Sequence, residues 1–227
     1  MEMLKKKADA SSEKARKKGI VYEPVIIEGR QIAKTWWGSA WCENLERYAD
    51  YENRIDRGKR YVRNGSVIDL KIETGKVTAK VQGRRPSPYK ITIKISRLQE
   101  AKIDAIMERC GKKLENLESL LKGEFPDEMK EIFMEKGGLF PSPNEINFDC
   151  SCPDWASMCK HVAAVLYGIG ARFDKNPLLF FELRGIDVER FIDVTLQNRV
   201  ESMLANVENR TSRMMDDADL SKIFGVL

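Results

Sequence analysis

The feature that most constrains this chain is a short segment, residues 148–162, which reads FDCSCPDWASMCKHV. It holds three of the five cysteines and the only histidine of the 227 residues, in the pattern CxCx6CxH. In an extended chain, residues i and i+2 project to the same side, so the first two cysteines can grip one ion. A Pro-Asp turn follows, and the second pair falls at the predicted first turn of a helix. The pattern therefore predicts four convergent ligands: Cys150, Cys152, Cys159 and His161.

The donor set of three thiolates and one neutral imidazole favours Zn(II) over iron in a tetrahedral shell. Four protein ligands leave no open position for water or substrate, so we expect a structural ion and not a catalytic Lewis acid. Lys160 and the dipole of the helix N-terminus offset the net negative charge of such a site. Because His161 is committed to the metal, histidine-based acid–base catalysis is excluded, and we expect a protein that is not an enzyme.

The cysteine count favours a reducing compartment. Five is an odd number, and three cysteines within ten residues do not resemble a disulfide framework. The N-terminal residues lack the apolar stretch of a signal peptide, and the longest apolar run, 162–171, is about half of the ~20 residues that cross a bilayer. We therefore expect a cytoplasmic protein without a membrane span. Cys42 and Cys110 are interpreted as packing residues, because no further histidine is present to activate them.

Hydrophobic periodicity predicts an α+β fold. Apolar residues alternate with period two in VIDLKIE, KVTAKVQ and YKITIKI, which predicts an antiparallel meander of three half-buried strands between Val67 and Ile95. Ile68, Leu70 and Ile72 are expected on the apolar face of the first strand. The opposite face of the meander gathers lysines, namely Lys71, Lys76, Lys80, Lys90 and Lys94. Further short strands are expected in VYEPVIIEG and from Ile146 to Cys150.

Helical spacing flanks the meander. In TWWGSAWCENLERY, Trp37, Trp41 and Leu45 share one helical face, which is interpreted as core, although three tryptophans in six residues can also form a base-stacking platform. Ser96 is the predicted N-cap of the next helix, and the later helices are expected over PDEMKEIFMEKGG, 160–173, 177–184 and 188–206. The predicted organisation is a solvated lysine-rich tail (1–20), a basic α/β region with the meander (21–97), a helical connector (98–140), a zinc-binding strand-turn-helix unit (141–187) and C-terminal helices (188–227).

The net charge of +4 hides two unlike halves. Residues 1–97 carry 23 Lys and Arg against 12 Asp and Glu, whereas residues 98–227 carry 16 against 23. A basic half favours a polyanionic partner. The candidate phosphate contacts are the basic residues of RGKRYVR, of the GRRPSP loop and of the lysine face: Arg57, Lys59, Arg60, Arg63, Lys80, Arg84, Arg85 and Lys90.

The CxCx6CxH segment followed by VAAVLYGIGARFDKNPLLFFELRG resembles the SWIM zinc finger of bacterial and archaeal proteins. TWWGSAWCENLERY and the stretch from RGKRYVRNG to PSPYKITI are similar to the N-terminal part of the same proteins, so the resemblance spans about residues 34–187. It implies zinc binding by the four predicted ligands, a role in binding DNA or proteins, and association with Snf-type helicase-like ATPases. The sequence contains no GxxxxGK(S/T) phosphate loop, so such an ATPase would be a partner.

The sequence therefore predicts a SWIM-type zinc module that binds nucleic acid, DNA in particular, without catalysis and without a small-molecule substrate. It leaves open DNA or RNA, and single or double strands. One alternative is a protein–protein adaptor that docks through an apolar helical stripe, for which the candidates are Phe191, Val194, Leu196, Val200 and Leu204. A remote alternative is a metal-dependent nuclease, for which the candidates are Asp69 with Lys71, or Asp127 and Glu128 with Lys130.

Overall fold

A computed structural model of the protein describes residues 2–113 and 125–208. Within these ranges, one antiparallel sheet packs against helices, which confirms the predicted α+β class. The elements are α1 (Glu2–Arg16), α2 (Trp36–Glu46), α3 (Glu52–Arg63), β1 (Val67–Glu73), β2 (Lys76–Val81), β3 (Tyr89–Ile95), α4 (Glu100–Lys113), α5 (Lys130–Met134), β4 (Ile146–Cys150), α6 (Lys160–Lys175), α7 (Leu179–Arg184) and α8 (Val188–Glu208). Short 3-10 turns, Asp127–Met129 and Pro143–Glu145, precede α5 and β4.

The sheet has the strand order β1-β2-β3-β4, and every neighbouring pair is antiparallel. The predicted period-two pattern sets the register, because Ile93 lies opposite Val77 on one side and Phe148 on the other. The strand that carries the first candidate metal ligand, Cys150, pairs with β3 as the edge strand. The predicted zinc-binding segment therefore shares one sheet with the meander.

Ile68 was predicted to lie with Leu70 and Ile72 on the apolar face of β1, and this prediction is wrong for Ile68. Val67 pairs with Val81 and Asp69 pairs with Lys80, so one residue of β1 has no partner and the strand is bulged there. A bulge shifts the alternation of side chains by one residue. Ile68 is buried but lies outside the main core, in a groove that residues of α1 also line.

Where the sequence predicted a solvated tail over 1–20, the structure has helix α1 over Glu2–Arg16. Helix α1 has no strong apolar stripe, and it buries two small residues, Ala8 and Ala15. Its polar side chains hold the loop between β2 and β3: Lys7 Nζ donates to the Arg84 carbonyl at 2.7 Å, and Ser11 Oγ donates to Gln82 Oε1 at 2.7 Å. Alanine contacts and polar contacts of this kind leave no periodic apolar signal in the sequence.

No strand forms in VYEPVIIEG, contrary to expectation. The segment runs beside β1 with two backbone hydrogen bonds, from Val25 N to the Val67 carbonyl at 3.0 Å and from Leu70 N to the Glu23 carbonyl at 2.9 Å. Pro24 lies between these contacts and has no N–H to donate, which interrupts a regular ladder. The apolar residue Val25 still reaches the core.

Helix α6 is the centre of the molecule, with twelve of its sixteen residues buried. It packs against α2, α3 and the core face of the sheet. At Gly58 of α3 the two helices approach closely, since a Cβ there would lie 2.5 Å from Ala163 Cβ. This contact brings the basic residues of α3 next to the N-terminal turn of α6.

The tryptophan stripe of α2 lies in the core, as predicted. Trp37 and Trp41 are buried, and their indole N–H groups donate to the carbonyls of Phe173 and Leu166 at 3.1 Å each. Trp41 makes edge-to-face contacts with three phenylalanine rings at centroid distances of 5.0–6.0 Å, namely Phe140, Phe173 and Phe180. The side chains of this stripe are therefore structural.

The C-terminal helix α8 packs on α4. Helix α4 begins at Glu100, so Ser96 is not its N-cap as predicted. Of the predicted apolar stripe, Phe191 is fully buried against Phe181, with ring centroids 4.6 Å apart, and Val194 is half-buried. The remaining members are exposed and recur on one face together with Met203: Leu196, Val200 and Leu204. The first residue of the stripe thus belongs to the core, and the later ones face away from it.

A buried arginine joins three separate parts of the chain. Arg184, at the end of α7, is 1% exposed and donates to the carbonyls of Ser96 and Gly138 at 2.6 and 3.3 Å. It also pairs with Glu145 at 2.7 Å, just before β4. Although desolvation acts in the opposite direction, hydrogen bonds from Ser142 and Arg184 lower the pKa of the Glu145 carboxyl.

We expect Glu145→Ala to destabilise the protein by about 3 kcal/mol, because the buried guanidinium of Arg184 would lose its counter-charge. The lowered pKa means that this contribution is present at neutral pH and is lost as the pH falls through the folded-state pKa of Glu145. Urea titrations at pH 7 and at acidic pH measure both effects. Glu135→Ala is the matched control, because its pair with Arg109 is exposed and should contribute less than about 1 kcal/mol. Equal losses for the two variants would contradict the prediction.

Candidate metal centre

Two elements bring the four predicted ligands together. Strand β4 ends at Cys150, and Ser151 fixes the next peptide on β3, since its N–H donates to the Lys90 carbonyl at 3.0 Å and its Oγ accepts from Lys90 N at 2.9 Å. The chain then bends through Cys152. Cys159 is the N-cap residue of α6, and His161 lies in the first turn of that helix, as predicted. The sheet edge thus supplies two donors and the central helix supplies the other two.

The donor atoms of Cys150, Cys152, Cys159 and His161 all lie within 4.8 Å of one another. His161 Nδ1 is 3.9 Å from Cys150 Sγ and 4.0 Å from Cys159 Sγ. The corresponding edge of a tetrahedral zinc site with ordinary bond lengths is about 3.6 Å, so small side-chain shifts suffice to close the shell. The cluster could therefore hold one metal ion with four protein ligands.

The imidazole of His161 is held between two tyrosine rings. It is 1% exposed, it stacks on Tyr89 with centroids 4.2 Å apart, and it meets the edge of Tyr61 at 5.4 Å. Nδ1 faces the sulfur atoms, and Nε2 is buried without a hydrogen-bond partner in the described chain. This orientation presents one ring nitrogen to an ion and fixes the ring by packing.

The thiols of the cluster differ in acidity. Hydrogen bonds from the Cys150 thiol, from His161 and from the backbone N–H groups that begin α6 lower the pKa of Cys159, although burial opposes them. The hydrogen bond to Cys159, burial and the charge of Cys159 raise the pKa of Cys150. One thiolate is therefore favoured before an ion binds, at the positive end of the central helix.

The loop between the two ligand pairs is held by α3 and by the residues just before that helix. Arg54 Nε lies 3.0 Å from Asp154 Oδ2, and Asp50 Oδ2 accepts from Ser157 N at 2.6 Å. Between these contacts Trp155 is 80% exposed, and its indole meets the edge of Tyr51 at 5.5 Å. Trp155 was not among the predicted site residues, because the only tryptophans considered for base stacking were those of α2. The position of Trp155 between the ligand pairs, away from any apolar periodicity, was the available signal.

Four basic side chains converge on one cleft, which we call the basic cleft. Three of them were predicted phosphate contacts, Arg57, Arg60 and Arg84, and the fourth is Lys160. The cleft has a volume of about 580 Å³, and its wall includes His161, Tyr61, Tyr89, Asn64 and Leu4. Burial raises the pKa of the Tyr61 phenol, against the influence of the two nearby guanidinium groups of Arg84 and Arg57. Lys160, predicted only as a charge neighbour of the metal, joins this group. The cleft therefore lies directly against the candidate metal centre.

Two features determine the conformation of the loop that carries Arg84: hydrogen bonds from Gln82 and the close approach of Gly83 to Tyr89. The buried Gln82 amide donates to the carbonyls of Gly83 and Arg85 at 3.0 and 2.7 Å, which brackets Arg84. A Cβ at Gly83 would lie 2.5 Å from the Tyr89 ring and 3.4 Å from His161 Nε2, so only glycine lets the loop pass this close to the candidate ligand. The position of Arg84 thus depends on the packing around His161.

The other predicted phosphate contacts do not line the basic cleft. Lys59 pairs with Glu46 at 2.8 Å, Arg63 donates to the Arg30 carbonyl at 3.2 Å, and Lys80 pairs with Asp69 at 3.4 Å. Arg85 lies over the Tyr89 ring at 5.5 Å, and Lys90 is exposed on the lysine face of the sheet. Three of the eight predicted residues therefore line the basic cleft, and the other five lie outside its lining.

The residues considered for a nuclease are also separate. Asp69 is buried, accepts from Glu23 N at 3.1 Å and pairs with Lys80, so its carboxylate is engaged in holding the chain beside β1. Asp127 and Glu128 are exposed on a 3-10 turn. Within the described ranges, the one group of three or more His, Cys, Asp or Glu side chains placed to hold a metal ion is the Cys3His cluster.

The two cysteines outside the cluster are packed in the protein. Burial, followed by the charge of the neighbouring Glu46, raises the pKa of the Cys42 thiol to about 12. Cys110 is fully buried in the main core. None of the five cysteines is in a disulfide. In the described part of the chain, no helix combines the length and the apolar character that crossing a bilayer requires.

Comparison with known proteins finds a relative of similar sequence. The uncharacterized protein Rv2102 of Mycobacterium tuberculosis is 38% identical over 160 residues, which is 70% of this chain and 57% of the relative. The chain thus matches little more than half of that protein's length. No protein-family model matches the chain. No solved structure matches it.

Proposed function

We propose that this protein is a zinc-stabilised, SWIM-type module that binds nucleic acid without catalysing a reaction and works with a Snf-type helicase-like ATPase. The observation that carries the proposal is the convergence of Arg57, Arg60, Arg84 and Lys160 on one cleft beside the candidate metal centre. No acidic residue is among the described residues that line this cleft. A concave surface that carries positive charges and no negative ones attracts the phosphates of a nucleic-acid strand.

The basic residues of the cleft are available for phosphate. No ion pair joins Arg57, Arg84 or Lys160 to another residue of the described chain, whereas Lys59 and Lys80 are already paired. A guanidinium group presents a planar fork of donors that suits two phosphate oxygens. Contacts of this kind hold a strand in place and do not read its sequence.

Zinc is the ion we propose for the Cys3His cluster, because thiolate and imidazole donors at tetrahedral spacing suit it best. The ion would join the end of β4 to the first turn of α6 and so fix the wall of the basic cleft that His161 and Lys160 supply. With four protein ligands its role would be structural. The partnership with a helicase-like ATPase is supported by the sequence resemblance and by the exposed apolar residues of α8, which offer a docking surface.

We expect binding of wild-type protein to duplex DNA to weaken with a slope of log K against log salt near −4 to −5, as for about five neutralised phosphates. Reversal of three charges, Arg57→Glu, Arg60→Glu and Arg84→Glu together, should make this slope shallower by about 2.7 and weaken binding at least tenfold at moderate salt. Fluorescence anisotropy with labelled oligonucleotides, titrated over salt concentration, measures both quantities.

The matched control reverses three lysines on the exposed face of the sheet, Lys71, Lys76 and Lys94, which changes the net charge by the same amount. This control should keep most of the affinity if the basic cleft is the binding site. Wild-type affinity in the arginine variant, or no association with any oligonucleotide at low salt, would contradict the proposed function.

A further inference from the structure

We infer that the nucleic acid this protein binds is single-stranded, with a phosphate in the basic cleft and an unpaired base stacked on Trp155. The inference rests on the proposed function and goes beyond it by naming the form of the strand and a second contact. Two features carry it: the exposed aromatic pair formed by Trp155 and Tyr51, and the alignment of this pair with the basic cleft along α3.

Trp155 is exposed to solvent, although the loop that carries it is anchored to the protein. Its indole is 80% exposed, and the Tyr51 ring that meets it is 40% exposed, so the aromatic pair contributes little to the core. The flanking residues are held by Arg54 and Asp50, and the two pairs of candidate metal ligands lie on either side. The indole and the neighbouring Tyr51 ring thus present an exposed aromatic surface on an anchored loop. A flat ring in this setting suits stacking by a base.

Helix α3 links the aromatic pair to the basic cleft. Tyr51 is its N-cap residue, Arg54 lies in its first turn, and Arg57 and Arg60 follow at the spacing that keeps them on neighbouring positions of one face. From Arg54 to Arg60 the helix rises by about 9 Å. A few nucleotides of a nucleic-acid strand span a comparable length, so one strand can contact both the Trp155 ring and the basic cleft. Arg54 also lies over Tyr51, 5.8 Å from the ring centroid.

The combination favours a single strand over a duplex. Cations alone would serve either form, because both carry phosphates. In a duplex the faces of the bases are stacked on one another, and a side chain at the protein surface reaches them only when they are unpaired. The aromatic pair would therefore add to the binding of a single strand and would add nothing to that of a duplex.

The test uses the full-length zinc-loaded protein and one 20-nucleotide DNA sequence, presented as a labelled single strand and as a duplex at the same salt concentration. We expect tighter binding of the single strand. Trp155→Ala should weaken that binding about 5- to 140-fold, as loss of one stacked base does, and should leave duplex binding unchanged. Trp155→Phe keeps a flat ring and should retain most of the affinity.

A second readout follows the tryptophan directly. The single strand should quench the fluorescence of the wild-type protein, and this quenching should be lost in Trp155→Phe, because the tryptophans of α2 lie in or against the core. Unchanged single-strand affinity in Trp155→Ala, unchanged quenching in Trp155→Phe, or equal affinity of the wild type for the duplex would overturn the inference while leaving the proposed function intact. If neither DNA form binds at low salt, both fail. Ile26→Ala, at another exposed apolar residue, is the control and should have no effect.

Discussion

Replacement of Cys159 by serine is expected to abolish stoichiometric metal binding and to unfold the segment from β4 through α6. Cys159 is buried and is the N-cap residue of the central helix, with its sulfur among the four donor atoms of the cluster. Structural zinc in such ligand sets contributes about 10–16 kcal/mol, whereas whole domains are stable by about 5–15 kcal/mol. Loss of the ion should therefore remove most of the folded population at 25 °C. Elemental analysis of metal per chain and circular dichroism on heating measure the two effects.

Cys42→Ser is the matched control for this variant. Cys42 is a half-buried cysteine outside the cluster and should tolerate the same chemical change with one ion still bound per chain. A chelator should reproduce the effect of Cys159→Ser on the wild-type protein. If Cys159→Ser keeps one ion per chain and melts at the wild-type temperature, the cluster is not the metal centre.

Truncation of Trp41 to alanine should cost about 3–5 kcal/mol, the second-largest effect that we expect from a single substitution. The indole is fully buried, donates to the Leu166 carbonyl of the central helix and contacts three aromatic rings. Its removal would leave a cavity between α2 and α6 that the surrounding rings cannot close. Urea denaturation of the zinc-loaded protein measures the loss as a lower midpoint at an unchanged slope.

Trp155→Ala serves as the comparison in the same experiment, since it removes the same side chain from an exposed position. We expect its stability to stay within about 0.5 kcal/mol of the wild type. The two variants together separate the structural tryptophan of α2 from the exposed one beside the metal centre. A small loss for Trp41→Ala would contradict the packing described for the core.

Much of the fold could be predicted because its signals are local and periodic. The alternation in VIDLKIE, KVTAKVQ and YKITIKI predicted β1, β2 and β3, and the apolar run after His161 predicted the buried helix α6. The four residues of the cluster were predicted from spacing alone, and the structure brings them together. Each of these predictions depends on residues that are close in sequence.

The failures have a common physical cause, which is contact between distant segments. Helix α1 is held by Gln82 and Arg84, so its docking leaves no mark in its own composition. The bulge at Ile68 depends on the register with β2. The basic cleft was predicted only in part, because Lys160 joins Arg57 and Arg84 through the packing of α6 on α3 and through the loop beside His161. Sequence periodicity carries no information on which charged side chains of separate elements meet.

The short span of the ligand set has a consequence for the order of folding. All four donors lie between residues 150 and 161, whereas the pairing of β3 with β4 joins Ile91 to Cys150 across a long intervening segment. Loop-closure entropy delays such distant pairing but hardly opposes a local cluster. We therefore expect the metal-bound cluster to form before β3 pairs with β4. A zinc-bound loop formed in this way would offer the sheet a preassembled edge onto which the rest of the protein condenses.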